Sequence, residues 1–322
     1  MKNFAHFNAR TIDEAASLLR RYAGRAEIIA GGTDLLGKMK DEILPSYPEA
    51  LINIKTIPGL DGIEEKDGML SIGALTRLED IATNRIVEQK YTALAQAAGR
   101  CASTHLREMG TLGGNLCQDI RCWYYRNQNN RFPCLRKGGG RCYAIEGDNR
   151  YHSIFGGSVE EGCYAVHPSD TAPALIALDA TIRTSKREIK AEAFFQVSET
   201  KTTVLDADEI VTQVLIPSPQ GKSAFVKFAL RKTIDFPIVN CAALLAVSKK
   251  KVTSARICLN AVYVTPYRAT KAEEAIVGKP INEATAEAAG AAALADAKPL
   301  PYNAYMVPVA KTMIKRAMLG CV

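Results

Sequence analysis

Apolar residues at Ala15, Leu18 and Leu19 follow a capping box, Thr11 with Glu14, and together they predict an opening helix. The run at 27–30 (EIIA) reads as a buried strand that leads straight into Gly31-Gly32-Thr33-Asp34. Residues 35–40 then read as a short helix and 51–54 as a further strand, a strand–helix–strand unit around a glycine turn. A hairpin is predicted at 62–73, turning at Asp67-Gly68. A second capping box, Thr76 with Glu79, opens another helix, and 94–98 belongs to one more. Further on, 171–178 reads as a helix, and 180–184 and 210–216 read as strands. The last of these ends in Pro217-Ser218-Pro219-Gln220-Gly221, an interdomain linker. Strand-like stretches at 224–230, 242–247 and 255–262 precede alanine-rich helices at 269–276, 282–296 and 304–318. The pattern predicts a mixed α/β chain of α+β type. A small subdomain spans 1–55, a second part 56–216, and a separate α+β domain 222–322.

A length of 322 residues suits two or three domains with sizeable cores, and 47% hydrophobic with 23% charged residues is ordinary for a globular protein. The net charge of +7 is dispersed outside one loop, which argues against the continuous basic stripe of a nucleic-acid binder. No apolar run approaches the roughly 18 residues that span a bilayer. The first residues hold no signal-peptide apolar segment, so the mature chain is expected to begin at or near Met1. Nine cysteines without such a signal fit a reducing compartment, where cysteine clusters more often mean metal than disulfide. The chain reads as cytoplasmic, leaving open export within a complex carried by another subunit's signal.

Two glycine-rich turns carry the first candidate chemistry. AGGTDL at 30–35 offers consecutive backbone N–H groups at a strand-to-helix turn, suited to an anion such as a pyrophosphate, although a tight turn alone would look the same. It is neither a GxGxxG fingerprint nor a P-loop. GTLGGN at 110–115 lies about 80 residues further on, and the pair could clasp the two ends of one diphosphate.

The loop that follows holds Cys122, Cys134, Cys142 and Cys163 in the spacing C-x11-C-x7-C-x20-C. It looks too polar and glycine-rich to fold on its own apolar side chains, so a bound metal would explain its order. The C-x2-C pairs of common zinc sites are missing, so spacing does not name the metal. Arg121, Arg126, Arg131, Arg136, Lys137, Arg141 and Arg150 crowd the same loop and are expected to lower the thiol pKa values. Cys101, Cys117, Cys241, Cys258 and Cys321 read as buried, inert core residues. The four histidines, His6, His105, His152 and His167, show no ligand spacing and read as structural. With no acid–base or nucleophilic constellation, a carried redox cofactor becomes the better source of chemistry.

Taken together, IIAGGTDLL, IGALT at 72–76, REMGTLGGNL, DTAPAL after HPSD, and KFALRKTIDFPIVN from Lys227 resemble the FAD-binding medium subunit of the xanthine dehydrogenase (molybdenum hydroxylase) family. The resemblance covers essentially the whole chain. It implies a two-subdomain FAD-binding domain of the vanillyl-alcohol-oxidase/PCMH type followed by a C-terminal α+β domain. Most members pass from GGNL to PSD within about a dozen residues, whereas this chain inserts about 50, at 117–166. The insertion is similar to those of the 4-hydroxybenzoyl-CoA reductase β subunit and the FAD subunit of bacterial aromatic aldehyde oxidoreductases, where four cysteines hold a 4Fe-4S cluster. GGRCYAIEGDNRYH at 139–152 and CYAVHPSD at 163–170 carry that likeness.

By motif, the resemblance places FAD against Ile29, Ala30, Gly31, Gly32, Thr33, Asp34 and Leu35, with Thr76, Thr111, Gly114 and Asn115 continuing the clasp. Asp170 is implied on the ribose or phosphate side and Lys227 near the flavin, while Cys101 stands where relatives place an aromatic. Cys122, Cys134, Cys142 and Cys163 are implied as 4Fe-4S ligands. The implied protein is the FAD and 4Fe-4S electron-transfer subunit of a heterotrimeric molybdenum oxidoreductase. Its partners would be a small subunit with two 2Fe-2S clusters, a large molybdopterin subunit that binds substrate, and ferredoxin or a similar carrier. A free-standing flavoprotein oxidoreductase and a zinc-stabilised interaction module are the competing readings.

Overall fold

The computed structural model describes residues 1–158, 162–196 and 201–322. The first part holds β1 (Ala5–Asn8), α1 (Ile12–Tyr22), β2 (Ala26–Ile29), α2 (Leu35–Lys40) and β3 (Ala50–Asn53). The strands form a parallel sheet in the order β1-β3-β2. Every residue of the central strand β3 is buried, as a parallel strand covered on both faces requires. The capping box of α1 forms with a shift: Thr11 Oγ1 accepts from Glu14 N at 3.1 Å, while Glu14 Oε2 accepts from Arg10 N rather than from the cap itself. β1 has no counterpart in the sequence reading, because four residues of alternating burial carry little periodic signal.

The second part contains β4 (Ile63–Lys66), β5 (Met69–Gly73), α3 (Leu78–Thr83), α4 (Arg85–Lys90), α5 (Thr92–Gly99), α6 (Thr104–Arg107) and α7 (Leu112–Leu116). After the cysteine-containing arm come α8 (Thr171–Ala177), β6 (Thr181–Thr184), β7 (Glu188–Lys190), α9 (Ala191–Phe194) and β8 (Val211–Pro217). The five strands form an antiparallel sheet in the order β4-β5-β8-β6-β7. The β4–β5 hairpin turns at Asp67 (φ 52°) and Gly68 (φ 73°), the positive-φ pair that a two-residue hairpin loop needs. Thr76 is not a helix cap. α3 begins two residues later behind Arg77, the Thr76 hydroxyl donates to Gly62 O at 3.0 Å, and Glu79 pairs instead with Arg107.

The last part comprises β9 (Lys222–Phe228), β10 (Val239–Ser248), β11 (Lys251–Asn260), β12 (Tyr267–Arg268), α10 (Thr270–Ile276), α11 (Glu283–Ala293) and α12 (Met306–Leu319). Its sheet runs β12-β11-β10-β9, and Val239, Cys241, Leu245, Ile257 and Leu259 pack against Ala286, Ala310, Ile314 and Ala317 of the helices. Toward the second part, Ala93 and Ala97 of α5 and Ala174 and Ala177 of α8 meet Phe225 and Ala242. Side chains this small let the helices approach the sheet closely. Among the described residues, no helix is long and apolar enough to cross a membrane.

Candidate cofactor site

The turn after β2 and the turn before α7 close on each other. A Cβ at Gly31 would collide with the Met109 carbonyl oxygen, so only glycine lets the two backbones touch there. Gly113 sits under a similar restriction, since its Cβ would stand 3.0 Å from the Ala74 oxygen. Thr111 caps α7, its hydroxyl accepting from Gly114 N at 3.2 Å, and this fixes the second turn.

Between the turns lies a cavity of about 250 Å³. Ala30, Gly31, Gly32, Thr33, Asp34 and Leu35 line one side, and Thr111, Gly114 and Asn115 line the other. Two glycine turns distant in sequence thus face one space. Other predicted residues lie elsewhere. Ile29 ends β2, pairing with Asn53, and is not on the cavity wall. Thr76 is occupied with Gly62. Asp170 and Lys227 face each other rather than the cavity: Lys227 Nζ donates to Asp170 Oδ2 at 2.6 Å and to Arg100 O at 2.9 Å. Asn240 Nδ2 completes the pair by donating to Asp170 Oδ1 at 2.7 Å, and both charged side chains are about 5% exposed or less. The HPSD turn reaches the cavity wall through Ser169, which donates to Asn115 Oδ1 at 2.6 Å.

Glu209, which lines the far wall, had no motif to announce it. Its buried carboxylate accepts from Arg187, Thr184 and Asp206 N. Burial works against its charge, but these donors win and hold its pKa at about 2. Its side-chain partners stand 22 and 25 residues away in sequence, which hides the group from any local pattern. Cys117 is not a core residue: it is exposed and lines the cavity. Cys101, Cys241, Cys258 and Cys321 are buried as expected, and so is His167, whose pKa burial drives down to about 3.

The arm between Cys117 and His167 does take part in a buried core, contrary to expectation, shared with residues outside the arm. Cys122, Tyr125, Cys134, Cys163 and Ala165 bury themselves with Ile43, Ile120 and Val264, and Tyr124, Tyr143 and Tyr263 pack around them. Aromatic rings and the cysteines supply the apolar surface that a count of aliphatic residues missed. Most of the arm's cations are spent on rings: Arg141 lies 4.5 Å from the Tyr143 centroid, Arg131 5.7 Å from Phe132, and Arg150 5.5 Å from Trp123. Lys137 still favours the thiolate of Cys134, and Arg136 that of Cys163. Burial dominates and pushes Cys163 up to about 11, with Cys122 and Cys134 also raised.

Cys122, Cys134, Cys142 and Cys163 nonetheless line one closed chamber, with Arg136 and Tyr125 in its wall. Its volume of about 10 Å³ is close to the minimum that admits a single water molecule. His152, buried, brings Nε2 to 3.3 Å from Cys122 Sγ. Among the described residues, no three Cys, His, Asp or Glu groups stand at the spacing that would hold a single metal ion.

Residues 2–219 match the family described as FAD binding domain in molybdopterin dehydrogenase, and residues 224–320 match the CO dehydrogenase flavoprotein C-terminal domain. The FAD-binding subunit of aldehyde oxidoreductase from Escherichia coli is 37% identical over 284 residues, covering 85% of this chain and 86% of that protein. The FAD subunit of nicotinate dehydrogenase from Eubacterium barkeri is 29% identical over 293 residues, covering 89% and 84%. A carbon monoxide dehydrogenase structure from Hydrogenophaga pseudoflava superposes with a TM-score of 0.78 at 26% identity, covering 99% of this chain and 97% of that one.

Proposed function

Because the chain belongs to the FAD-binding subunits of the molybdenum hydroxylase family, we propose that it holds FAD between its two glycine turns and a 4Fe-4S cluster on Cys122, Cys134, Cys142 and Cys163. In that role it relays electrons between a molybdopterin large subunit with a 2Fe-2S small subunit and an external carrier such as ferredoxin. Residues 1–55 and 56–216 are the two flavin subdomains, 117–166 the cluster arm, and 222–322 the C-terminal domain. The observation that carries the flavin assignment is the closure of the 30–35 turn on the 110–115 turn over one cavity.

The residues present fit such a group. Residues of both turns line the cavity, and the Gly31 contact leaves no room for a side chain between them. When bound, FAD supplies one- and two-electron transfer. The protein's part is to hold it: Gly31 to Asp34 on one side, Gly114 and Asn115 on the other, with Thr111 fixing the second turn. Among the described residues, the cavity wall brings no nucleophile within hydrogen-bond distance of a base, which favours substrate chemistry on a partner subunit over a free-standing flavoenzyme. Relatives named for an aldehyde, nicotinate and carbon monoxide share this subunit type, which fits substrate choice being made elsewhere in the complex.

Four soft thiols lining one chamber suit an iron–sulfur centre, which Cys122, Cys134, Cys142 and Cys163 would hold. A lone zinc ion would need the thiolates within about 2.3 Å of one point. The arm's basic side chains, Arg136 foremost, offset the negative charge of a thiolate-ligated cluster.

Cys134→Ser is expected to abolish the cluster's visible absorption and paramagnetic signal while leaving FAD bound at wild-type stoichiometry. Unchanged iron content in that variant would remove Cys134 from the ligand set.

A further inference from the structure

We propose that Asp119 is a positioning residue that ties the nucleotide turn to the four-cysteine chamber, so that filling the chamber strengthens FAD binding in the neighbouring cavity. The inference rests on the function proposed above and concerns how its two sites communicate.

The arm grips α2, the helix that follows the nucleotide turn, at both ends. Asp34 stands at the N-cap of α2, yet its carboxylate does not cap the helix. Its Oδ1 takes Arg126 Nη1 at 2.7 Å and its Oδ2 takes Asp119 N at 3.0 Å, both from the arm. At the far end, Asp41 accepts from Gln128 Nε2 at 3.2 Å and from Asn129 N at 2.8 Å. Midway, Lys38 Nζ donates to Asp119 Oδ2 at 3.2 Å, and each of these two side chains is only 14% exposed. Asp34 and Lys38 both line the flavin cavity.

Asp119 also faces the other way. Tyr125 donates its hydroxyl to Asp119 Oδ2 at 2.7 Å, and the Tyr125 ring is buried in the chamber wall beside Cys122 and Cys134. Arg126 locks the intervening backbone by donating to the carbonyls of Asp119 and Ile120. One carboxylate thus joins a cavity-lining lysine to a chamber-lining tyrosine. Burial opposes its charge, but Lys38 and Arg126 hold it ionised.

The sign of the coupling follows from order. A cluster would cross-link four separate arm segments, at 122, 134, 142 and 163, and remove their freedom in one event. An arm already ordered keeps Arg126 and Asp119 on Asp34 and Lys38, so the nucleotide turn gives up less freedom when it closes on FAD. By linkage, FAD then stabilises the cluster by the same factor.

The test is the FAD dissociation constant of the full-length chain, read by flavin fluorescence, with the cluster in place and after anaerobic chelation of its iron. For the wild type the iron-free form should bind FAD about tenfold more weakly, within the range usual for coupled sites. In Asp119→Asn the ratio should fall below about twofold, because the iron-loaded form then binds FAD nearly as weakly as the iron-free form. Tyr125→Phe keeps the ring and removes only the hydroxyl, so it should lower the ratio even if Asp119→Asn folds poorly. Loss of iron dependence in either variant supports the link. A wild-type ratio near one in protein carrying about four irons per chain would overturn this inference and leave the proposed function standing. Retention of the wild-type ratio in both variants would do the same. A chain that takes up no iron would overturn the cluster assignment and this inference with it.

Discussion

Gly31→Ala should leave the chain unable to retain FAD, with affinity lower by about 100-fold, the scale of the 1–3 kcal/mol that overpacking a closed contact costs. The added methyl falls on the Met109 carbonyl, a backbone atom with no rotamer to retreat into. The 30–35 turn must therefore move away from the 110–115 turn, and the cavity between them opens. Gly31 does not need a positive φ, so the loss would come from the contact and not from backbone strain. Gly37→Ala, three residues into α2, is the matched control. A Cβ there meets nothing within 4 Å, and alanine should stabilise the helix by about 0.5–1 kcal/mol. Flavin content after gel filtration, together with a thermal melt of each variant, checks the pair. Wild-type flavin content in Gly31→Ala would remove the clasp from the account.

Lys227→Met is expected to lower the unfolding free energy by about 3–5 kcal/mol, because it leaves Asp170 as a buried charge without its counter-ion. Asn240 Nδ2 and the Cys101 thiol remain beside it, and neither brings a charge. The lysine also gives up its bond to Arg100 O, so the tie between β9 and the α5 end weakens as well. Adding Asp170→Asn should recover part of the loss, since the buried charge disappears while an acceptor for Asn240 remains. Urea titrations of the single and double variants measure this. If Lys227→Met kept full stability and lost FAD instead, Lys227 would be a flavin contact and not a latch.

The longer elements were legible because their periodicity is strong. α2, α8, α10, α12 and the β4–β5 hairpin lie within a residue or two of their predicted bounds. β1, β7 and β12 were not, because four residues or fewer carry little periodic signal of their own. Both glycine turns were readable from composition, whereas their mutual contact depends on Gly31 meeting Met109, which no local motif encodes. Thr76 and Glu79 satisfied a capping pattern but found stronger tertiary partners in Gly62 and Arg107. Asp170 and Lys227 lie 57 residues apart, and only the fold shows them paired with each other. The arm's core is hidden from a reading of aliphatic residues, because tyrosines and cysteines supply much of its apolar surface. Asp34 lines the cavity, and its carboxylate is engaged by Arg126 and Asp119, partners that no local motif encodes.

Cofactor stoichiometry of the chain purified anaerobically tests the central claim most directly, by quantifying FAD, iron, acid-labile sulfide and zinc in one preparation. One FAD with about four irons and four sulfides per chain is the predicted result. One zinc with no iron, or iron without flavin, would contradict it.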